Sequence, residues 1–299
     1  MAKLLICDPV APSAVTALKE LGIEVDVRDD ITPDELAEVI SDYEGMVVRS
    51  RTKVRAALID KATRMKVIIR GGVGLDNIDV AYAEGKGIKV CNTPKASTNA
   101  VAELALGLMF ALARRTPYAD HSMKAGRWEK KALKGAELAD KTLGIIGYGR
   151  IGRELGRKAQ ALGMRVIAYD PYITHEDIVP LDELLKEADY ISLHVPATPE
   201  TLNMLDAAAF AKMKEGVYLV QAARGGVVNE QALYEALTSG KVAGAALDVY
   251  TEEPPKSTLL QKLIALPQVI ATPHIGAATR EAQQRIGDEI VALAKTYLT

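Results

Sequence analysis

Short aliphatic runs recur along the 299-residue chain, each followed by a turn and then by apolar positions three and four residues apart. In the first third the runs fall at residues 3–7, 24–27, 45–48, 65–69 and 88–91, with helical spacing over 13–21, 34–40, 56–62 and 78–85. Thr32 before Pro33 and Glu35 reads as a helix start. A long helix is predicted over 97–113, capped by Ser97 or Thr98. Its apolar residues extend almost all round, so burial between layers or subunits is expected. Residues 114–134 are polar and basic and read as a surface loop around the sole tryptophan, Trp128, with Lys130 and Lys131 beside it. Further runs follow at 143–146, 164–169, 190–194, 217–222, 242–247 and 269–271, and an amphipathic helix closes the chain over 279–297. Strand and helix signals alternating in this way predict α/β architecture, with parallel sheets covered by helices on both faces. The length suits about two such domains.

The stretch at 141–170, KTLGIIGYGRIGRELGRKAQALGMRVIAYD, organises the second half. A strand leads into Gly147, Gly149 and Gly152 in G-x-G-x-x-G spacing, a helix follows, and the next strand ends on Asp170. The first glycine permits the tight turn, the second lets a pyrophosphate approach the backbone, and the third lets the helix pack against the sheet. The helix N-terminus offers N–H groups to phosphate. A carboxylate at the Asp170 position suits the hydroxyls of an adenosine ribose. It would also repel a 2′-phosphate, and Pro171 and Tyr172 supply no cation to hold one, so NAD is expected over NADP.

Composition narrows the function classes. Hydrophobic residues make up 48% and charged residues 25%, an ordinary globular balance, and the net charge of −2 argues against a nucleic-acid surface. Cys7 and Cys91 fit no metal spacing; both are expected as buried free thiols in a reducing compartment. The N-terminal MAKLLICDP is too short for a signal peptide, and no run approaches the ~18 apolar residues of a membrane span. A cytoplasmic enzyme with a small-molecule substrate is the expectation.

Three residues past the ends of strands stand out as Arg224, Glu253 and His274. Oxidation of a hydroxy acid needs a carboxylate anchor, which a guanidinium provides through two hydrogen bonds. It needs a proton acceptor, for which imidazole is suited. It also needs a carboxylate to hold that imidazole. Glu252 rivals Glu253; the residue next to Pro254 is preferred. His194 ends a strand before Val195-Pro196 and reads as a structural hydrogen-bonding group, while His121 and His175 read as solvated. In the first half, which lacks a complete G-x-G-x-x-G, two strand ends carry Arg49-Ser50-Arg51-Thr52 and Arg70-Gly71-Gly72-Val73-Gly74. Glycines clustered there can turn N–H groups toward an anion, so a small substrate with more than one negative group is suggested.

The motifs RGGVGLDNID (70–79), STNAVAE (97–103), GIIGYGRIG (144–152), HVP (194–196), ARGG (223–226), LDVYTEEP (247–254) and PHIGA (273–277), in that order, resemble the D-2-hydroxyacid dehydrogenase family over nearly the whole chain. Arg70 ahead of the glycines, TEEPP, and the stretch from Trp128 to Lys131 are similar to its phosphoglycerate dehydrogenase branch. The resemblance implies a Rossmann NAD domain over 96–277 and a flavodoxin-like substrate domain over 1–95, completed by 278–299. It implies catalysis by Arg224, Glu253 and His274. Arg150 and Ile151 would touch the pyrophosphate, Asp170 the ribose, and Val195 the adenosine. Ala222 and Ala223 would border the nicotinamide, Asp248 would bind its carboxamide, and Gly276 and Ala277 would complete the cofactor contacts. Val73 and Gly74 would meet the substrate carboxylate. Arg49 and Arg70 would face a substrate phosphate, with Arg51 as a third candidate. A homodimer through the NAD domain is implied, with Lys130 reaching the partner's site. The activity implied is NAD-dependent oxidation of 3-phosphoglycerate. The alternatives are a glyoxylate or hydroxypyruvate reductase and a non-enzymatic NAD(H)-sensing module like the corepressors that share this fold. Two departures bear on this: Val73 stands where many members carry a polar residue, and the chain stops after its last helix, so serine feedback through a regulatory domain is not expected.

Overall fold

The computed structural model describes residues 1–299, which form two compact units. The first comprises 1–97 and 277–299, the second 98–276. The first unit opens with β1 (Lys3–Ile6), α1 (Pro12–Glu20), β2 (Glu24–Val27) and α2 (Pro33–Val39). It continues with β3 (Gly45–Val48), α3 (Ala56–Lys61), β4 (Val67–Arg70), α4 (Val80–Gly85) and β5 (Lys89–Asn92). All five strands run parallel in the order β2-β1-β3-β4-β5, the flavodoxin-like order. Thr32 caps α2 in a reciprocal box with Glu35.

The second unit begins with α5 (Thr98–Arg114) and α6 (Thr116–Lys124). Its sheet and covering helices are β6 (Thr142–Ile146), α7 (Arg150–Ala161), β7 (Arg165–Tyr169), α8 (Leu181–Glu187), β8 (Tyr190–Leu193) and α9 (Ala207–Lys212). They continue as β9 (Val217–Gln221), α10 (Glu230–Ser239), β10 (Val242–Leu247), α11 (Thr258–Ile264) and β11 (Val269–Ala271). The strand order is β11-β10-β9-β8-β6-β7, again all parallel. A single bridge from Ile178 to Ala168 lies on the outer edge of β7, the place of a further Rossmann strand. Leu143 and Ile145 face α5 and α7 with Met109, Leu155 and Tyr190, while Ile146, Leu193 and Leu219 face the opposite layer with Leu233. The last helix, α12 (Arg280–Leu298), returns to the first unit, where Ile286, Ile290 and Ala294 pack against Leu4, Ile6, Val47, Val67 and Ile69.

Two sequence expectations are corrected, and three helices are added. Residues 114–134 are not one loop: α6 and a 3₁₀ turn at Lys130–Leu133 lie within it, and Arg115 adopts a left-handed φ of 50° between α5 and α6. The helices α8, α9 and α11, six or seven residues long, carry no expectation from the pattern. On α5, whose burial was expected between layers or subunits, Phe110 is 42% exposed within the single chain. Cys7 is buried, but Cys91 is only half-buried.

Candidate active site

Every chemistry-bearing residue of the second unit follows the carboxyl end of a parallel strand, where open α/β sheets bind ligands. After β6, Gly147 takes a φ of 95°, a conformation that favours glycine. A Cβ on Gly152 would lie 2.2 Å from the Gly147 carbonyl oxygen, so α7 approaches the turn only because that position is glycine. The residues fit a dinucleotide on two counts. The space above Gly149 is open, with no atom within 4 Å of where its Cβ would stand, and α7 begins there without a side-chain cap. The N–H groups of its first turn, Arg150, Ile151 and Gly152 included, therefore face outward. Asp170 accepts the Tyr148 N–H at 2.9 Å and the Tyr172 N–H at 3.0 Å, one on each oxygen. A carboxylate offers about four acceptor sites, so about two remain for ribose hydroxyls. Tyr148 ties the glycine turn to the segment beyond Asp170 by donating from its hydroxyl to Asp177 at 2.5 Å. The hydroxyl's pKa is raised by burial and by that carboxylate.

The structure brings His274 and Glu253 together, with Nδ1 and Oε2 at 2.8 Å. Burial opposes ionisation of Glu253. The hydrogen bond and charge of His274, the Tyr250 N–H and the Arg224 charge outweigh it and hold its pKa below the usual value. An ionised carboxylate only accepts, so Nδ1 carries the proton and Nε2 is left as a base. His274 sits at a left-handed φ of 53° after Pro273, a conformation uncommon outside glycine and enriched in His, Asn and Asp. Glu252 is excluded as the partner: its Oε2 accepts the Lys256 and Ser257 N–H groups instead. Arg224 lies on the turn after β9, which Gln221 fixes by donating to the Arg224 carbonyl and accepting from the Ala223 N–H. Gly225 lets this turn meet the β10 loop, because a Cβ there would stand 1.9 Å from the Tyr250 oxygen. Asp248 is buried and accepts from Thr272 Oγ1 and the Ile275 and Gly276 N–H groups. It therefore orders the segment bearing His274 and retains about one acceptor site for the expected carboxamide. Ala222 and Val195 are half-buried at the ends of β9 and β8.

His194 is structural, as its strand-end position suggests: Nε2 meets Ser192 Oγ at 2.9 Å and Nδ1 is enclosed without a partner. Burial pushes its pKa down to about 4. The unfolded chain takes up this proton near pH 6.5 and the folded chain only near 4, so stability falls as pH drops through that window. The full loss is about 3 kcal/mol. Urea melts at about pH 7 and about pH 4.5 are expected to show most of it, and His194→Asn to flatten that slope.

In the first unit Arg49 ends up half-buried beyond β3, with its guanidinium donating to Gln283 Oε1 and, at 3.5 Å, to the Pro9 carbonyl. Burial lowers its pKa, against the raising effect of Asp8. Arg70 ends β4; its guanidinium lies over Gly72 and reaches Ser50 Oγ at 3.4 Å. Val73 and Gly74 are half-buried in the turn that follows, held by Asn92 donating to the Val73 carbonyl. Arg51, the third candidate, has Nε paired with Asp8 at 2.9 Å and its guanidinium donating to the Cys7 carbonyl, so its charge is already matched. Asp8, Asn77 and Gln283 went unassigned in the sequence. The signal for Asp8 is a carboxylate standing directly after the apolar run Leu4 to Cys7.

Residues 106–276 match the model of the D-isomer specific 2-hydroxyacid dehydrogenase NAD binding domain. The chain is 52% identical to the hydroxypyruvate reductase of Thermotoga maritima over 289 residues, 95% of this chain and 94% of that enzyme. It is 48% identical to the D-3-phosphoglycerate dehydrogenase of Methanocaldococcus jannaschii over 306 residues, all of this chain but 58% of that enzyme. Its structure is similar to that of the D-lactate dehydrogenase of Aquifex aeolicus in complex with NAD and lactic acid, with a TM-score of 0.88, 33% identity, and coverage of 99% of this chain and 95% of that one. Two Rossmann-like parallel-sheet units, a glycine turn backed by Asp170 and this kinship lead to one conclusion: the chain belongs to the D-2-hydroxyacid dehydrogenases and is an NAD-dependent enzyme of that family.

Proposed function

We propose that the enzyme interconverts 3-phosphoglycerate and 3-phosphohydroxypyruvate, the oxidation that opens serine biosynthesis. The observation that carries this reading is Arg49: a half-buried guanidinium whose hydrogen-bond partners are all neutral, placed one strand away from Arg70. A desolvated cation without a carboxylate partner suits a substrate dianion. His274 Nε2 takes the hydroxyl proton, Glu253 holds Nδ1 and favours the imidazolium that results, and Arg224 holds the substrate carboxylate. NAD, when bound, supplies the hydride acceptor. Gly147, Gly149, Arg150, Ile151, Gly152 and Asp170 hold its phosphates and ribose, and Val195, Ala222, Ala223, Asp248, Gly276 and Ala277 its two rings. Val73 and Gly74 offer backbone N–H groups to the substrate.

A second reading, reduction of hydroxypyruvate or glyoxylate, is favoured by the similarity to the Thermotoga enzyme, which this chain spans at 94% of its length. NADH consumption with phosphohydroxypyruvate, hydroxypyruvate, glyoxylate and pyruvate separates the two. Arg49→Ala is expected to raise KM for phosphohydroxypyruvate about tenfold or more, the worth of a hydrogen bond to a charged group, and to spare hydroxypyruvate. Equal turnover of phosphorylated and unphosphorylated substrates by the unmodified enzyme would instead establish the second reading.

The homodimer is likewise our reading. Phe110, Met123 and Trp128, on or just after α5 and α6, are 42%, 55% and 78% exposed. Exposed apolar side chains on neighbouring elements suit a protein contact if they form one patch. Light scattering is expected to give a mass near twice 32.1 kDa, and Trp128→Ser to weaken the association; Lys130 stands beside it. Both cysteines are free thiols, in keeping with the reducing cytoplasm.

A further inference from the structure

Asp8 directly follows the residue after β1 and is 1% exposed. Four donors from residues 49–52 converge on its carboxylate. They are the Arg49 N–H at 2.5 Å, the Thr52 N–H at 3.3 Å, Thr52 Oγ1 at 3.0 Å and Arg51 Nε at 2.9 Å. That fills its capacity of about four acceptor sites. Asn77 grips the same segment from its carbonyl side, donating to Arg49 O at 2.7 Å and Thr52 O at 2.6 Å. Because Asn77 belongs to the turn after β4, the segments bearing Arg49 and Arg70 form one hydrogen-bonded frame. Within it the two loop arginines differ. The charge of Arg51 is matched by Asp8. The guanidinium of Arg49 meets only a carbonyl and the Gln283 amide.

We infer that Asp8 is a positioning residue that decides which arginine of residues 49–52 meets the substrate anion: it engages Arg51 as an ion pair and pins the backbone of Arg49, leaving the Arg49 guanidinium for the ligand. This rests on the assignment of Arg49 to the anion. A phosphorylated or otherwise dianionic 2-hydroxy acid therefore depends on a carboxylate that does not touch it.

The test is steady-state kinetics of the full-length enzyme with phosphohydroxypyruvate and NADH. Arg51→Met keeps the apolar stem and removes the matched charge; KM is expected to stay within about twofold. Asp8→Asn turns one acceptor oxygen into a donor facing N–H groups. It is expected to raise KM for phosphohydroxypyruvate about tenfold, with kcat and the KM for NADH within about twofold. In the Asp8→Asn background Arg49→Ala is expected to add less than about threefold, while Arg51→Ala now raises KM further. If Arg49→Ala has no effect in the unmodified enzyme, the anion assignment itself fails. If Arg49→Ala acts as expected but Arg51→Met raises KM equally, or the Asp8→Asn and Arg49→Ala effects simply multiply, the role of Asp8 is overturned alone. Should Asp8→Asn not fold, the Arg51→Met result still decides.

Discussion

Replacing His274 by Asn is expected to lower kcat about 10²- to 10⁴-fold, the usual worth of a positioned general base, with NADH binding retained. Asn is the informative substitute because it tolerates the left-handed backbone at this position, where φ is 53°. The loss then reports the imidazole rather than backbone strain. Nε2 has no substitute: the neighbouring carboxylate of Glu253 is spent on Nδ1 at 2.8 Å. Glu253→Gln is expected to lie between the His274→Asn variant and the unmodified enzyme, since the amide can still orient the ring but cannot balance its positive charge. Stopped-flow reduction of saturating 2-keto acid, with NADH fluorescence to read binding separately, checks both. A His274→Asn enzyme of undiminished kcat would remove the proposed base.

Replacing Asp170 by Ala is expected to raise KM for NAD about 10²-fold and to bring NADP into the range of NAD. Hydrogen bonds to a charged acceptor are each worth about 1.5–3 kcal/mol, and two sites on this carboxylate remain for the ribose. The same charge is what a 2′-phosphate would meet, so its removal penalises one cofactor and relieves the other. The ratio of kcat/KM for the two cofactors is the measurement; a ratio unmoved by the substitution would mean that Asp170 only ties the backbone of Tyr148 and Tyr172.

Arg224, Glu253 and His274 stood out as candidates because each follows an aliphatic run that could only be a buried strand, and parallel strands place their carboxyl ends together. That argument needed no knowledge of strand order. The pairing of His274 with Glu253 rather than Glu252 was a choice between neighbours, settled by the 2.8 Å contact of Nδ1 with Glu253 Oε2 while Glu252 anchors the N–H groups before α11. The ion pair of Arg51 was not legible for a different reason. A sequence displays its cation but not the counter-charge, which comes from Asp8, 43 positions away. Helix α6 was hidden by composition: nine mostly polar residues, beginning Thr-Pro, give little apolar periodicity to read.

Helix α12 has a bearing on how this polypeptide is made. One face of the first sheet, with Leu4, Ile6, Val47, Val67 and Ile69, is covered by Ile286, Ile290 and Ala294, and the methyl of Leu298 fills the space beside Gly45. Residues 1–97 thus leave the ribosome well before the helix that covers one face of their sheet, while the interval from 98 to 276 is contiguous and can collapse without it. Although domains usually mature in the order of their synthesis, here the order is reversed. A chain truncated before residue 280 should retain a protease-resistant 98–276 core behind a digestible leading portion.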